Sequence, residues 1–274
     1  MKSPSSDQLS GGHSLRARAR RPRDAGATWF NMRASKFEFE QRFWVIGALI
    51  FIAFSLGSVD HVNFAVGLLH WVAPTIDPNS ARGNFWLRVI FASGALLIFL
   101  SALLRTWATS YLRTEVVHDV SQHSEALVAD GPYRYVRNPL YLANLPMMMG
   151  IGVMASRLGW LFMVVSMWVF VYRLIFREED GLRQTQGESY SAYLKAVPRF
   201  WPSLTPRVPS GGGQPRWGQA IAGEMIFWLF GVAVLCFAIS LNIKLTGVVF
   251  AASFAFYFLV VVPLVKKRRT ATPS

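Results

Sequence analysis

WLRVIFASGALLIFLSALL, residues 86–104, decides what kind of protein this is. Among its 19 positions only Arg88 is charged. Wound as a helix at about 1.5 Å per residue, the stretch is about 28 Å long, close to the hydrocarbon thickness of a bilayer. A surface helix of a water-soluble domain would break such a run with polar residues every third or fourth position. The reading is a membrane span.

Similar runs lie on both sides. Phe43 to Val59 precedes it. Leu140 to Ala155, short and interrupted by Pro146, is followed after only Ser156 and Arg157 by Leu158 to Phe176, so these two form a helical hairpin. Met225 to Leu241 and Leu245 to Val265 form a second hairpin. Val62 to Val72 contains Asn63 and His70 and follows His61, which suits an interfacial or re-entrant segment. The expected fold is an all-α integral membrane protein with about six transmembrane helices, two hairpins among them.

Composition agrees. Of 274 residues, 53% are hydrophobic and 16% charged, where a soluble domain carries about 25% charged residues. The 10 Trp, 21 Phe and 8 Tyr rule out disorder over most of the chain. A single cysteine, Cys236, rules out a disulfide-stapled fold. The net charge of +13 reads as topology. With the N-terminus inside, the loops and tails on that side hold 24 of the 28 Lys and Arg, as the positive-inside rule requires. Only Arg82, Arg88, Arg157 and Lys244 lie outside. Both termini and the loops 105–138 and 173–220 are therefore expected to be cytoplasmic, and the basic excess to meet anionic lipid rather than nucleic acid.

Residues 1–40, rich in Ser, Gly and Arg, are expected to be a disordered basic cytoplasmic tail. The first apolar run starts too late for a simple signal peptide. Residues 41–205 form the expected core. Residues 206–220, with Gly211, Gly212 and Gly213 between prolines, read as a flexible linker. Residues 221–274 are the C-terminal hairpin with its basic tail.

Two cytoplasmic blocks carry the polar chemistry. The first runs Leu127-Val128-Ala129-Asp130-Gly131-Pro132-Tyr133-Arg134-Tyr135-Val136-Arg137-Asn138-Pro139-Leu140-Tyr141. Asp-Gly-Pro is a turn, and Pro139 suits the first turn of the next helix. Arg134 and Arg137 near that helix start would suit a carboxylate or phosphate. Headgroup anchoring is the competing role for both. The second block holds Arg173, Arg177, Glu178, Glu179 and Asp180, then Gly187, Tyr190 and Tyr193, then Val197-Pro198-Arg199-Phe200-Trp201-Pro202. Acids at a membrane border ask for a partner unless they face water. Tyr190 and Tyr193 read as packing. His118 and His123 lack a third ligand, so no metal site is expected. Gly247, Ala251 and Ala255, four apart, suggest close packing of the last span.

Taken together the blocks resemble the membrane methyltransferases of the isoprenylcysteine carboxyl methyltransferase and phospholipid methyltransferase families. The resemblance covers about residues 90–205. It rests on Leu-Val-x-x-Gly-Pro-Tyr-x-Tyr-x-Arg-Asn-Pro-x-Tyr, then Glu-Glu-x-x-Leu, Gly-x-x-Tyr-x-x-Tyr and Val-Pro-Arg-Phe-x-Pro in order. It implies a cytoplasmic pocket for S-adenosylmethionine, formed by Gly131, Pro132, Tyr133, Arg134, Tyr135, Arg137, Asn138, Pro139, Tyr141, Glu178 and Glu179. The chain departs from the family pattern at Asn138, often His there, and at Glu125 and Ala126, near which the family often has another His.

The chemistry of the cofactor fits these residue types. Arginines and a helix start suit its carboxylate, a glutamate its diol or amino group, and tyrosines its adenine and sulfonium. Neither block offers a histidine base. A carboxylate acceptor is already ionised at neutral pH, so carboxyl O-methylation of a lipid-like or lipidated substrate is slightly favoured, with Arg173 or Arg177 holding the acceptor. Phospholipid amine N-methylation is the alternative. An NADPH-dependent sterol-type reductase and a non-enzymatic membrane protein are the further ones. A bacterial inner membrane is the expected location.

Overall fold

The structure is a computed structural model and describes residues 32–112 and 129–265. The tail 1–31 with its Arg16–Arg23 cluster, His118, His123, Glu125, Ala126, Leu127 and Val128, and the basic end 266–269 lie outside the described residues. Among those described, helices carry the whole architecture: α1 Lys36–Glu40, α2 Arg42–Ser55, α3 Phe64–Val72, α4 Ala81–Tyr111, α5 Pro139–Gly152, α6 Arg157–Ala196, α7 Trp217–Ser240 and α8 Ile243–Phe256. α8 continues through a π turn, Tyr257–Val261, to Val265.

Three of these helices start where a small polar residue caps them. Ser80 Oγ accepts from the Gly83 N–H to open α4, and Ser156 Oγ accepts from the Gly159 N–H to open α6. Asn242 Oδ1 accepts from Lys244 and Leu245 to open α8. α7 stops at Leu241, whose φ of 51° no helix continues.

Among the described residues four helices are long and apolar enough to cross a membrane: 81–111, 157–196, 217–240 and 243–265. The expectation of six counts two shorter ones. Residues 42–58 form an apolar helix below that length. α5 has 14 residues, about 21 Å at 1.5 Å per residue. It need not reach across, because it is wedged between α4 and α6 and buries Met147 and Met148 there. Gly94 of α4 and Gly150 of α5 make this crossing close: a Cβ on Gly150 would strike the Gly94 carbonyl oxygen, and one on Gly94 the Val153 side chain. Ser101 Oγ adds a 2.6 Å hydrogen bond to the Ala143 carbonyl. α2 lies on α6 where Gly159 meets the Ala53 carbonyl.

α7 runs antiparallel to α4. Its start is tied by the Arg216 N–H to the Ser110 carbonyl, and further along Phe99 meets Trp228 and Phe91 meets Phe237. α8 packs on α7 through Phe230, Phe250 and Phe254. The expectation that Gly247, Ala251 and Ala255 make a close packing face is corrected here. These residues are exposed, because the face turned inward carries Thr246 and Ser253, which are buried.

The bundle has two distinct ends. At one, Asp60 takes Arg157 and the Leu158 N–H, and the Asn63 side chain donates to the carbonyls of Met154 and Ala155. At the other, both polar blocks come together.

Candidate functional site

Block one is a tight ribbon. Gly131 enters it with φ of 55° against the ring of Tyr111, where a Cβ would overlap. Gly131–Arg134 make one 3₁₀ turn with Pro132 buried inside. The Val136 N–H then donates to the Pro132 carbonyl at 3.1 Å, and Asn138 leads into α5 at Pro139. Asn138 makes no side-chain cap bond to that helix.

Asn138 turns its amide elsewhere. Its Nδ2 donates to Glu179 Oε1 at 3.2 Å and to the Arg199 carbonyl at 3.0 Å. Glu179 is 2% exposed and is held from two further sides. Arg199 Nη2 donates to Oε2 at 2.9 Å, with Nε at 3.1 Å, and Arg137 Nε lies 3.3 Å from Oε1. Arg137 is anchored in turn, its Nη1 donating to the Leu194 carbonyl at 2.7 Å and its backbone N–H to Pro198 at 2.9 Å. Two guanidiniums and an amide thus converge on one carboxylate. Arg199 stands in the quoted motif but was not among the expected site residues. Its place in Val-Pro-Arg-Phe was the signal.

Arg134 goes the other way. Its Nε donates to the Val208 carbonyl at 2.9 Å, so the two block-one arginines do not share one anion site. Residues 206–216, the unhelical part of the expected linker, lie along block one. Asp130 accepts from Ser210 Oγ and from the N–H groups of Gly211 and Gly213, both at 2.8 Å. The Ser210 bond first, then the two backbone N–H groups, holds the Asp130 carboxyl below its ordinary range.

Glu178 is a neighbour of Glu179 in sequence but points about 100° round the helix. It lies in hydrogen-bonding reach of the Tyr141 hydroxyl, with Arg42 in electrostatic range. No ion pair to it is made among the described residues. Tyr133 is half-buried, and burial pushes its hydroxyl well above the ordinary range. The Tyr133 carbonyl accepts from Tyr193 Oη at 2.7 Å. Tyr135 faces Trp107, and its carbonyl accepts from the Ser203 N–H at 3.0 Å. Tyr190 and Tyr193 pack with Val197. They reach this place because α6 breaks at Gly187, with φ of 57° and ψ of −127°.

Arg173 and Arg177 hold the N-terminal segment. Arg173 Nη2 donates to both oxygens of Glu38, at 2.8 and 3.1 Å, and its carbonyl accepts from the Ala34 N–H at 3.0 Å. Arg177 Nη1 donates to the Ala34 carbonyl at 3.0 Å and sits over Phe39. Burial alone would raise the Glu38 carboxyl, yet the bonds from Arg173 and Ser35 keep it below its ordinary range. A second pair, Arg105 with Glu224, lies deeper and was not expected. A lone Arg just after one apolar run and a lone Glu just before another were its only trace in the sequence. Among the described residues no group of three His, Cys, Asp or Glu gathers as a metal site would.

Residues 89–189 match the phospholipid methyltransferase family. That segment takes in most of α4, block one, α5, and α6 as far as Ser189, so the resemblance read from the motifs is borne out over this part. Two curated proteins are similar. One is the cobalt-zinc-cadmium resistance protein CzcN of Cupriavidus metallidurans, 26% identical over 123 residues, covering 45% of this chain and 54% of that protein. The other is the nickel-cobalt-cadmium resistance protein NccN of Alcaligenes xylosoxydans xylosoxydans, 24% identical over 131 residues, covering 47% and 58%. The chain spans about half the length of the curated relatives it matches. No solved structure matches it.

Proposed function

We propose that the chain is a membrane methyltransferase that uses S-adenosylmethionine and acts on a lipid-like or lipidated acceptor. The observation that carries this reading is the contrast at residues 178 and 179. Glu179 is consumed by two arginines and Asn138. Glu178, half-buried beside the family motif, has a tyrosine hydroxyl for company and keeps acceptor capacity. A half-buried carboxylate of that kind suits the amino group or the ribose diol of the cofactor. The uncapped first turn of α5 suits the cofactor carboxylate. Tyr133, Tyr135 and Tyr141 supply aromatic walls, and an aromatic face tolerates a cation.

When bound, the cofactor supplies a methyl group on a positively charged sulfur. The protein's share is to hold donor and acceptor in line and keep water out. For the acceptor, a carboxylate is the finer reading. Arg173 already grips one, that of Glu38, with its Nη2 on both oxygens, so it can take the same group from a substrate. Gly131–Pro139 and Glu178–Glu179 remain the proposed cofactor side, at the cytoplasmic face by the distribution of basic residues. The relatives' names speak of metal resistance.

The test is calorimetry of S-adenosylmethionine, with NADPH as control, on the full chain in detergent. A methyl-radiolabel assay with total membrane lipid follows. Binding of S-adenosylmethionine and label that is released as methanol by base support the reading in full. Base-stable label on an amine headgroup transfers it to N-methylation. Binding of NADPH instead rejects it.

A further inference from the structure

The last two helices lie outside the matched segment, yet α7 sends a carboxylate into the interior of the bundle. The Glu224 side chain is 5% exposed and that of Arg105, on α4, 13%. Arg105 Nε donates to Glu224 Oε2 at 2.6 Å, and its Nη1 donates to Asn144 Oδ1 on α5 at 3.1 Å. The guanidinium carbon lies 4.1 Å from the centroid of the Phe227 ring. One side chain thus joins α4, α5 and α7, and its rigid fork lets it serve two acceptors at once.

Charges inside membrane helices are expensive, and a buried ion pair is no stronger a tie than packed apolar side chains of the same volume. Stability alone is therefore a poor reason for this one. Its position supplies a better reason. Both charges lie within electrostatic range of the half-buried Tyr133 of block one. Asn144 stands three residues after Tyr141 on α5, so the two share a face of that helix. Tyr141 in turn is the hydrogen-bonding neighbour of Glu178.

We propose that Glu224 is a positioning residue of the methyl-transfer site. By holding Arg105 it fixes Asn144, and with it the face of α5 that presents Tyr141 to Glu178. The C-terminal hairpin is then a working part of the site and not an added membrane anchor. The proposal rests on the methyltransferase reading given above.

Two variants of the full chain in detergent test it, each followed by its thermal midpoint and by its dissociation constant for S-adenosylmethionine. Arg105→Gln/Glu224→Gln removes both charges together, so no buried charge is stranded. Asn144→Ala leaves the ion pair and cuts its link to α5. Both are expected to keep the wild-type midpoint and to bind about tenfold more weakly or worse. A purely structural tie would move the midpoint and leave the affinity of the folded protein alone. Wild-type affinity in the folded variants overturns the positioning role and leaves the methyltransferase reading standing. If the double variant does not fold, Asn144→Ala decides by the same criterion. If the wild-type chain itself binds no S-adenosylmethionine, the methyltransferase reading falls, and this proposal with it.

Discussion

Glu178 and Glu179 are the same residue type, one position apart, and the structure gives them different work. Glu179 compensates Arg137 and Arg199 in the interior. Its loss leaves two guanidiniums and an amide without their acceptor, and breaking a buried pair costs about 3–5 kcal/mol. Glu178→Gln removes a charge that no ion pair uses. Glu178→Gln is therefore expected to bind S-adenosylmethionine about tenfold more weakly at an unchanged melting point, a loss of about 1.5–3 kcal/mol for one charge-assisted bond. Glu179→Gln is expected to lose melting temperature first. Calorimetry and thermal denaturation on the same preparations check both, and the opposite pattern would reverse the assignment. The adjacent acids were plain in the sequence. Which one meets an arginine was not, because that depends on Arg199, which arrives from 20 residues further on.

At the scale of elements, the stretch 206–216 shows how much a single side chain can organise. Glycines and prolines read as slack chain, and their composition says nothing of what they lie against. Asp130 supplies the contact, gathering Ser210, Gly211 and Gly213 while Arg134 takes the Val208 carbonyl. The Asp130 carboxyl is held below its ordinary range in the fold. Its contribution is therefore complete above the unfolded value of about 3.9 and is lost as pH falls through the lower folded value. Hydrogen exchange read by mass spectrometry should show 207–216 protected at neutral pH and released in acid. Asp130→Asn should be released already at neutral pH. Protection that ignores both acid and the substitution would mean that other contacts hold the segment. α6 carries a second organising point at Gly187, whose φ of 57° turns the helix so that Tyr193 reaches the Tyr133 carbonyl. The motif Gly-x-x-Tyr-x-x-Tyr displayed the residues, but only the break explains their spacing.

For the whole molecule, the two ends of the bundle follow from the loops that meet there. Asp60 meets Arg157 at one, and block one meets the end of α6 at the other. With Cys236→Ser as background, Thr75→Cys should be labelled by an impermeant maleimide from the side opposite to Ser189→Cys and Thr205→Cys. Labelling of Thr75→Cys and Ser189→Cys from one side would dismantle the arrangement, since α4 could not then cross. The sequence alone determined the helical membrane class, the main spans, the gathering of basic residues toward one end and the two polar blocks. These are local or additive properties: hydropathy sums along the chain, caps act within one turn, and a motif is read in order. Only the tertiary structure decided that Arg173 grips Glu38, that Arg134 and Arg137 part company, that Gly247, Ala251 and Ala255 face outward, and that Arg105 finds Glu224 119 residues away. Each of these is a choice of partner among chemically equal candidates, and partner choice is settled by which helices cross and at what rotation. Where Gly94 and Gly150 let two backbones touch, the rotation is set, and the charges pair with whatever that rotation brings within reach.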